Sequence, residues 1–73
     1  MTYQERIRAL REDNDLTQTQ IAELLNVDQT TYSQYELNKR SMPIDHLVAL
    51  CKFYNVSADY ILGLSKTKND LIK

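Results

Sequence analysis

The chain has 73 residues, with nine Lys and Arg against ten Asp and Glu and a formal net charge of −1. That length fits one small domain, and a single Cys excludes an internal disulfide or a thiol-based zinc site. One Gly and one Pro leave little room for sheets with tight turns, so the composition predicts an all-helical bundle held by efficient helix packing. The chain shows no secretory hydrophobic region and no apolar run of membrane-spanning length, which makes a soluble cytoplasmic protein the expectation. Thr2 with Glu5 forms a capping box that opens a first helix from about Tyr3 to Asn14, and Tyr3, Ile7 and Leu10 fall on one buried stripe. Asn14-Asp15 ends it. Thr17 with Gln20 is a second capping box, with Leu16 and Ile21 placed as a hydrophobic staple. Ile21, Ala22, Leu24 and Leu25 supply the apolar face of this short second helix, and Asn26 stops it by tolerating a left-handed backbone.

Asp28 caps a third helix, with Val27 and Tyr32 as its staple. Two short helices about a three-residue turn are the ingredients of a helix-turn-helix. The third helix has a face of Gln29, Thr30, Ser33 and Gln34 with no acid in it, which suits a reader of the DNA major groove. The segment Asn38-Lys39-Arg40-Ser41-Met42 is polar and basic and is expected to be a loop crossing the phosphate backbone. Pro43 suits the first turn of a fourth helix whose Ile44, Leu47, Val48, Leu50, Cys51 and Tyr54 give a broad apolar face. Asn55 ends it, Ser57 caps a fifth helix, and Val56 with Ile61 forms a further staple. Tyr60, Ile61, Leu62 and Leu64 exceed what so short a helix buries in its own monomer, so part of this face is expected to be a subunit contact; a helix closing its own core is the alternative. The tail 65–73 is either a frayed end or one more turn docking Leu71 and Ile72 on a partner.

Groups for catalysis are scarce. His46, the one His, is expected at the surface beside Asp45, and Cys51 is expected as a small core residue. The chain has no Gly-rich phosphate loop and no His or Cys pair at metal spacing, so neither a cofactor nor an enzymatic activity is expected. Tyr3, Tyr54 and Tyr60 fall on core-facing stripes, which argues against a stacking platform for single strands.

Leu16-Thr17-Gln18 opening the second helix, Ile21-Ala22 inside it, Val27 in the turn and Tyr35-Glu36 ahead of Lys39-Arg40 resemble the XRE-type helix-turn-helix family, the DNA-binding domains of the Cro protein and phage repressors. The likeness continues through Pro43 and the run NVSADYILG and covers nearly all of residues 3–64. It implies a compact five-helix bundle of the lambda-repressor-like type over residues 1–64, followed by the tail 65–73. Asp15, Asn26 and Asn38 stand where the family commonly has Gly, and the turns are expected to survive because Asn and Asp also enter the left-handed region.

The resemblance also implies roles. Arg11 would pair with Glu36 and fix the third helix against the bundle. Gln29 matches an adenine-reading position, Thr30 and Gln34 match other base-edge positions, and Ser33 is a weaker candidate. Phosphate contacts would come from Thr17 and Gln18 at the positive end of the second helix, and from Asn38, Lys39, Arg40 and Ser41 in the loop. Gln18 would also brace Gln29, and Tyr32 would anchor the core with its ring while its hydroxyl reaches a phosphate. Glu5, Glu12, Asp13 and Asp15 lie on or after the helix that the family turns away from DNA, so an overall charge of −1 leaves a modest positive face possible. The family binds inverted repeats of double-stranded DNA as two-fold dimers, and the apolar excess of the fifth helix puts the expected subunit contact at Tyr60, Leu64 and Leu71. Small domains of this kind also serve as antitoxins, so a toxin protein is the alternative partner.

Overall fold

The computed structural model describes residues 2–64, which form α1 (Tyr3–Asp13), α2 (Gln18–Leu25), α3 (Gln29–Glu36), α4 (Ile44–Tyr54) and α5 (Ala58–Leu62), with no strand among them. The tail 65–73, with the expected contact at Leu71, lies outside the described residues. Four of the five helices begin on a side-chain cap. Thr2 Oγ1 accepts from the Glu5 N–H at 3.2 Å while the Glu5 carboxylate accepts from the Thr2 N–H at 2.9 Å. Thr17 and Gln20 repeat the reciprocal pair at 3.1 and 2.7 Å. Asp28 accepts from the Thr31 N–H at 2.7 Å, and Ser57, fully buried, accepts from the Tyr60 N–H at 3.0 Å. Each such cap is worth about 1 kcal/mol. Pro43 sits one residue earlier than expected: it occupies the cap of α4 with extended backbone (φ −60°, ψ 152°), and the helix starts at Ile44.

All five helices end by one device. A residue with positive φ (Asp15, Asn26, Asn38, Asn55, Gly63) is followed by one whose N–H closes onto a carbonyl five positions back. The closing bonds run from Leu16 to Arg11, Val27 to Ala22, Lys39 to Gln34, Val56 to Cys51 and Leu64 to Asp59, at 2.8 to 3.0 Å. This satisfies carbonyls that a helix end would otherwise leave open. The first four sites use Asn or Asp, the residues after Gly best able to hold this conformation.

Ile7, Ile21, Tyr32, Leu50 and Ile61 lie at the centre of the core, essentially without exposure. Both expected staples that flank the turn and α5 fall within it: Val27 packs on the cluster containing Tyr32, and Val56 and Ile61 are buried. Three residues assigned to apolar faces are instead exposed: Leu24, Ile44 and Val48, with Ile44 at 69 %. Periodicity marks the stripe but not the width of what covers it. α4 packs chiefly against α5, a helix of only 5 residues; Leu47 and Leu50 are buried while Ile44 and Val48 on its flank stay bare. Between α1, α4 and α5 an apolar groove of about 260 Å³ is lined by Tyr3, Met42, Ile44, Leu47 and Leu62.

Candidate nucleic-acid interface

α2 and α3 pack against each other about the turn Asn26-Val27-Asp28. α3 buries Tyr32 and Tyr35, whose rings meet edge to face at 6.2 Å. Gln29 and Thr30 are exposed and Ser33 and Gln34 half-buried; Thr30, Ser33 and Gln34 fall on the side away from the two rings, and Gln29, three residues before Tyr32, lies at its edge. At the start of α2 the capping box uses the N–H groups of Thr17 and Gln20, and those of Gln18 and Thr19 keep no partner among the described residues. Thr17 is exposed and Gln18 half-buried; Asn38, Lys39, Arg40 and Ser41 are exposed.

A polar network joins this face to the interior. Arg11 grips Glu36 with two hydrogen bonds, Nε to Oε2 at 2.7 Å and Nη2 to Oε1 at 3.1 Å, and its Nη1 donates to the Leu16 carbonyl at 2.9 Å. The side chains are 13 % and 2 % exposed, so the pair is buried. Gln18 Nε2 donates to Glu36 Oε1 at 3.1 Å, and Gln18 Oε1 accepts from Gln29 Nε2 at 2.6 Å. Burial pushes the Glu36 carboxyl up, but the Arg11, Tyr32 and Gln18 groups around it outweigh that and hold it below its ordinary value. The polarity of the whole chain of bonds follows from the carboxylate. An ionised carboxylate only accepts, so Gln18 must turn its NH₂ to Glu36 and its carbonyl to Gln29. Gln29 then spends one amide hydrogen on Gln18 and keeps its carbonyl and a second N–H for a ligand.

The hydroxyl of Tyr32 is turned into the bundle, whereas the expectation had it facing outward to a phosphate. Tyr32 is 0 % exposed, and its hydroxyl is enclosed near Glu36, close enough to act on its charge but without a hydrogen bond of ordinary geometry. Burial, and then the neighbouring carboxylate, raise its pKa far above the usual tyrosine value, so it stays neutral. Burial likewise pushes Tyr54 up to about 12. The reason is steric: a staple partner of Val27 at the fourth position of α3 must point into the bundle along its whole length. His46 also departs from its expected surface place. It is half-buried, with Nδ1 3.2 Å from the Tyr35 hydroxyl.

Sequence reasoning missed Gln4. It is a buried polar residue of α1 whose Nε2 donates to Asn38 Oδ1 at 2.8 Å, tying the loop after α3 to the first helix across 34 positions. Its signal was a polar residue beside the Tyr3–Ile7–Leu10 stripe, too common a pattern to single it out. Tyr60 was expected at a subunit contact and lies half-buried under Arg6, whose guanidinium carbon is 4.2 Å from the ring centroid. Leu64 is 76 % exposed. Among the described residues no group of three His, Cys, Asp or Glu could hold a metal ion, and no helix is long and apolar enough to cross a membrane.

Five short helices with a helix-turn-helix at the second and third define the class of lambda-repressor-like domains. The chain belongs to the XRE-type helix-turn-helix family, and the helix-turn-helix family model matches residues 7–61. It is 43 % identical over 63 residues to the uncharacterized HTH-type transcriptional regulator YobD of Bacillus subtilis (strain 168), covering 86 % of this chain and 56 % of that protein. The chain thus spans little more than half the length of this relative. A transcriptional regulator from Listeria innocua has a similar structure, with a TM-score of 0.83 and 31 % identity over 96 % of this chain and 66 % of that one. The P22 c2 repressor protein, solved in complex with a synthetic operator, has a TM-score of 0.79 and 29 % identity over 89 % of this chain and 98 % of that one.

Proposed function

We propose that this chain is a sequence-specific regulator of transcription, repressor-like, that binds an inverted repeat of double-stranded DNA in the cytoplasm as a homodimer, and is not an enzyme. The observation that carries this is the bracing of Gln29 by Gln18. It leaves Gln29 with one free N–H beside a free carbonyl, the pair of groups that matches N7 and N6 of adenine in the major groove. Thr30 and Ser33 lie beside it, one and four residues along α3. The two free N–H groups opening α2 suit a phosphate, and Asn38, Lys39 and Ser41 stand ready for others. Two copies would place their α3 helices about 10–10.5 bp apart, one helical turn. Selection of bound sequences from random duplexes tests the proposal: an enriched inverted repeat supports it, and equal, weak binding to every duplex overturns it.

A second reading has its own support. Ile44, Val48, Leu62 and Leu64 form apolar exposed surface away from α2 and α3, and Ile44 and Leu62 line the same groove. Such a surface suits a protein contact, either the second copy or a toxin-like partner.

A further inference from the structure

We propose that Arg40 sets the base preference of Gln34, so that α3 carries two glutamines of different specificity, one for adenine and one for guanine; this rests on the DNA-binding reading above. Arg40 Nε donates to Gln34 Oε1 at 3.1 Å. A guanidinium carries donors only, so this bond settles the orientation of the Gln34 amide: its oxygen faces Arg40 and its NH₂ faces away. Arg40 is thus folded back along α3. Its charge also reaches the cap of that helix, where the Asp28 carboxyl, held low chiefly by its bonds from Thr31, is lowered further by Arg40.

The consequence for recognition is electrostatic. A base that offers an N–H, adenine through N6 or cytosine through N4, would have to approach an oxygen already held by a cation. A base edge made of acceptors meets the Gln34 NH₂ and the remaining guanidinium donors without that conflict. Guanine offers two such acceptors, O6 and N7, and thymine one. Gln29 is the opposite case. Its partner Gln18 takes an amide hydrogen and leaves the carbonyl open, so the same residue type five positions earlier keeps the mixed donor and acceptor edge that adenine needs. Arg40 is therefore a positioning residue for Gln34 in addition to a source of charge near the phosphates.

The experiment is selection from random duplexes with the wild type, Gln34→Ala, Arg40→Met and Lys39→Met, followed by binding to the winning site and its single-base variants. The wild type is expected to favour guanine at the pair whose preference Gln34→Ala abolishes. Arg40→Met is expected to lower discrimination at that pair about tenfold and to leave the adenine preference set by Gln29 intact. Lys39→Met, which removes a charge from the same loop, is expected to weaken all duplexes alike. An unchanged preference in Arg40→Met, with affinity lowered uniformly, overturns the inference and leaves the DNA-binding reading standing. Adenine at the Gln34 pair in the wild type overturns it as well. No enriched sequence for the wild type sinks both.

Discussion

Gln29 donates its side-chain amide to Gln18 at 2.6 Å, which ties the first residue of α3 to the first residue of α2. Because Gln18 in turn donates to the buried Glu36, an interior carboxylate fixes which way a surface side chain faces. In the proposed function stability and recognition share one network, and they can be separated by choosing which link to break.

Breaking the buried end should cost folding. Arg11→Ala and Glu36→Ala are each expected to destabilise by about 3–5 kcal/mol, since either leaves a buried charge unpaired. The double change should cost clearly less than the sum, because the second substitution removes the charge that the first stranded. Denaturant unfolding of the wild type and the three variants measures this; two small, additive losses would mean the pair contributes little.

Acid should act through the same carboxyl. Glu36 is harder to protonate in the folded state than at its ordinary value of 4.5, so its contribution is fully present above that pH. It is lost as pH falls through the lower folded value. Thermal unfolding from pH 7 to pH 2 should show stability falling below about 4.5, and less steeply in Glu36→Gln than in the wild type. Equal slopes for the two proteins would assign the acid response to other groups.

Breaking the outer link should cost recognition more than folding. Gln18→Ala is expected to lower affinity for the preferred duplex and relax the base preference set by Gln29, by up to the roughly 1–3 kcal/mol of a bidentate contact. Gln29→Ala should do the same, and the double variant should be no worse than Gln29→Ala alone. Lys39→Ala, by contrast, should weaken preferred and random duplexes equally and reduce the salt slope by about 1. Binding titrations over a salt series distinguish the two patterns.

The helix ends make a prediction about stability alone. Asp15 holds φ 57° with no side-chain bond among those described, so Asp15→Gly is expected to stabilise by roughly 0.5 kcal/mol. Asn38 holds φ 59° but its side chain also receives the Gln4 amide, so Asn38→Gly should gain nothing or lose, having left a buried donor unmet. Paired unfolding curves of the two glycine variants check the contrast, and an equal gain in both would show that the Gln4 bond is not stabilising.

Assembly is tested at Leu64. With the residue 76 % exposed, Leu64→Asp should shift sedimentation from dimer to monomer, remove the concentration dependence of the thermal midpoint and weaken binding to a two-half-site duplex. A wild type that stays monomeric at every concentration and binds one copy per site would rule the homodimer out.

The sequence by itself determined the helices and their limits. Thr2, Thr17, Asp28 and Ser57 cap helices by bonds that span three residues, and Asn26 turns the chain by its own backbone freedom, so these limits are written locally. The Arg11–Glu36 pair, 25 positions apart, was legible only through family resemblance, because nothing local announces it. Tertiary structure alone decided how far each apolar stripe is covered, which is why Leu24, Ile44 and Val48 emerge exposed and the Tyr32 hydroxyl disappears inside. It also decided the orientation of the amides. A glutamine in a sequence offers a donor and an acceptor without order, and only a neighbour of fixed polarity, Glu36 acting through Gln18 or Arg40 beside Gln34, determines which of the two faces outward.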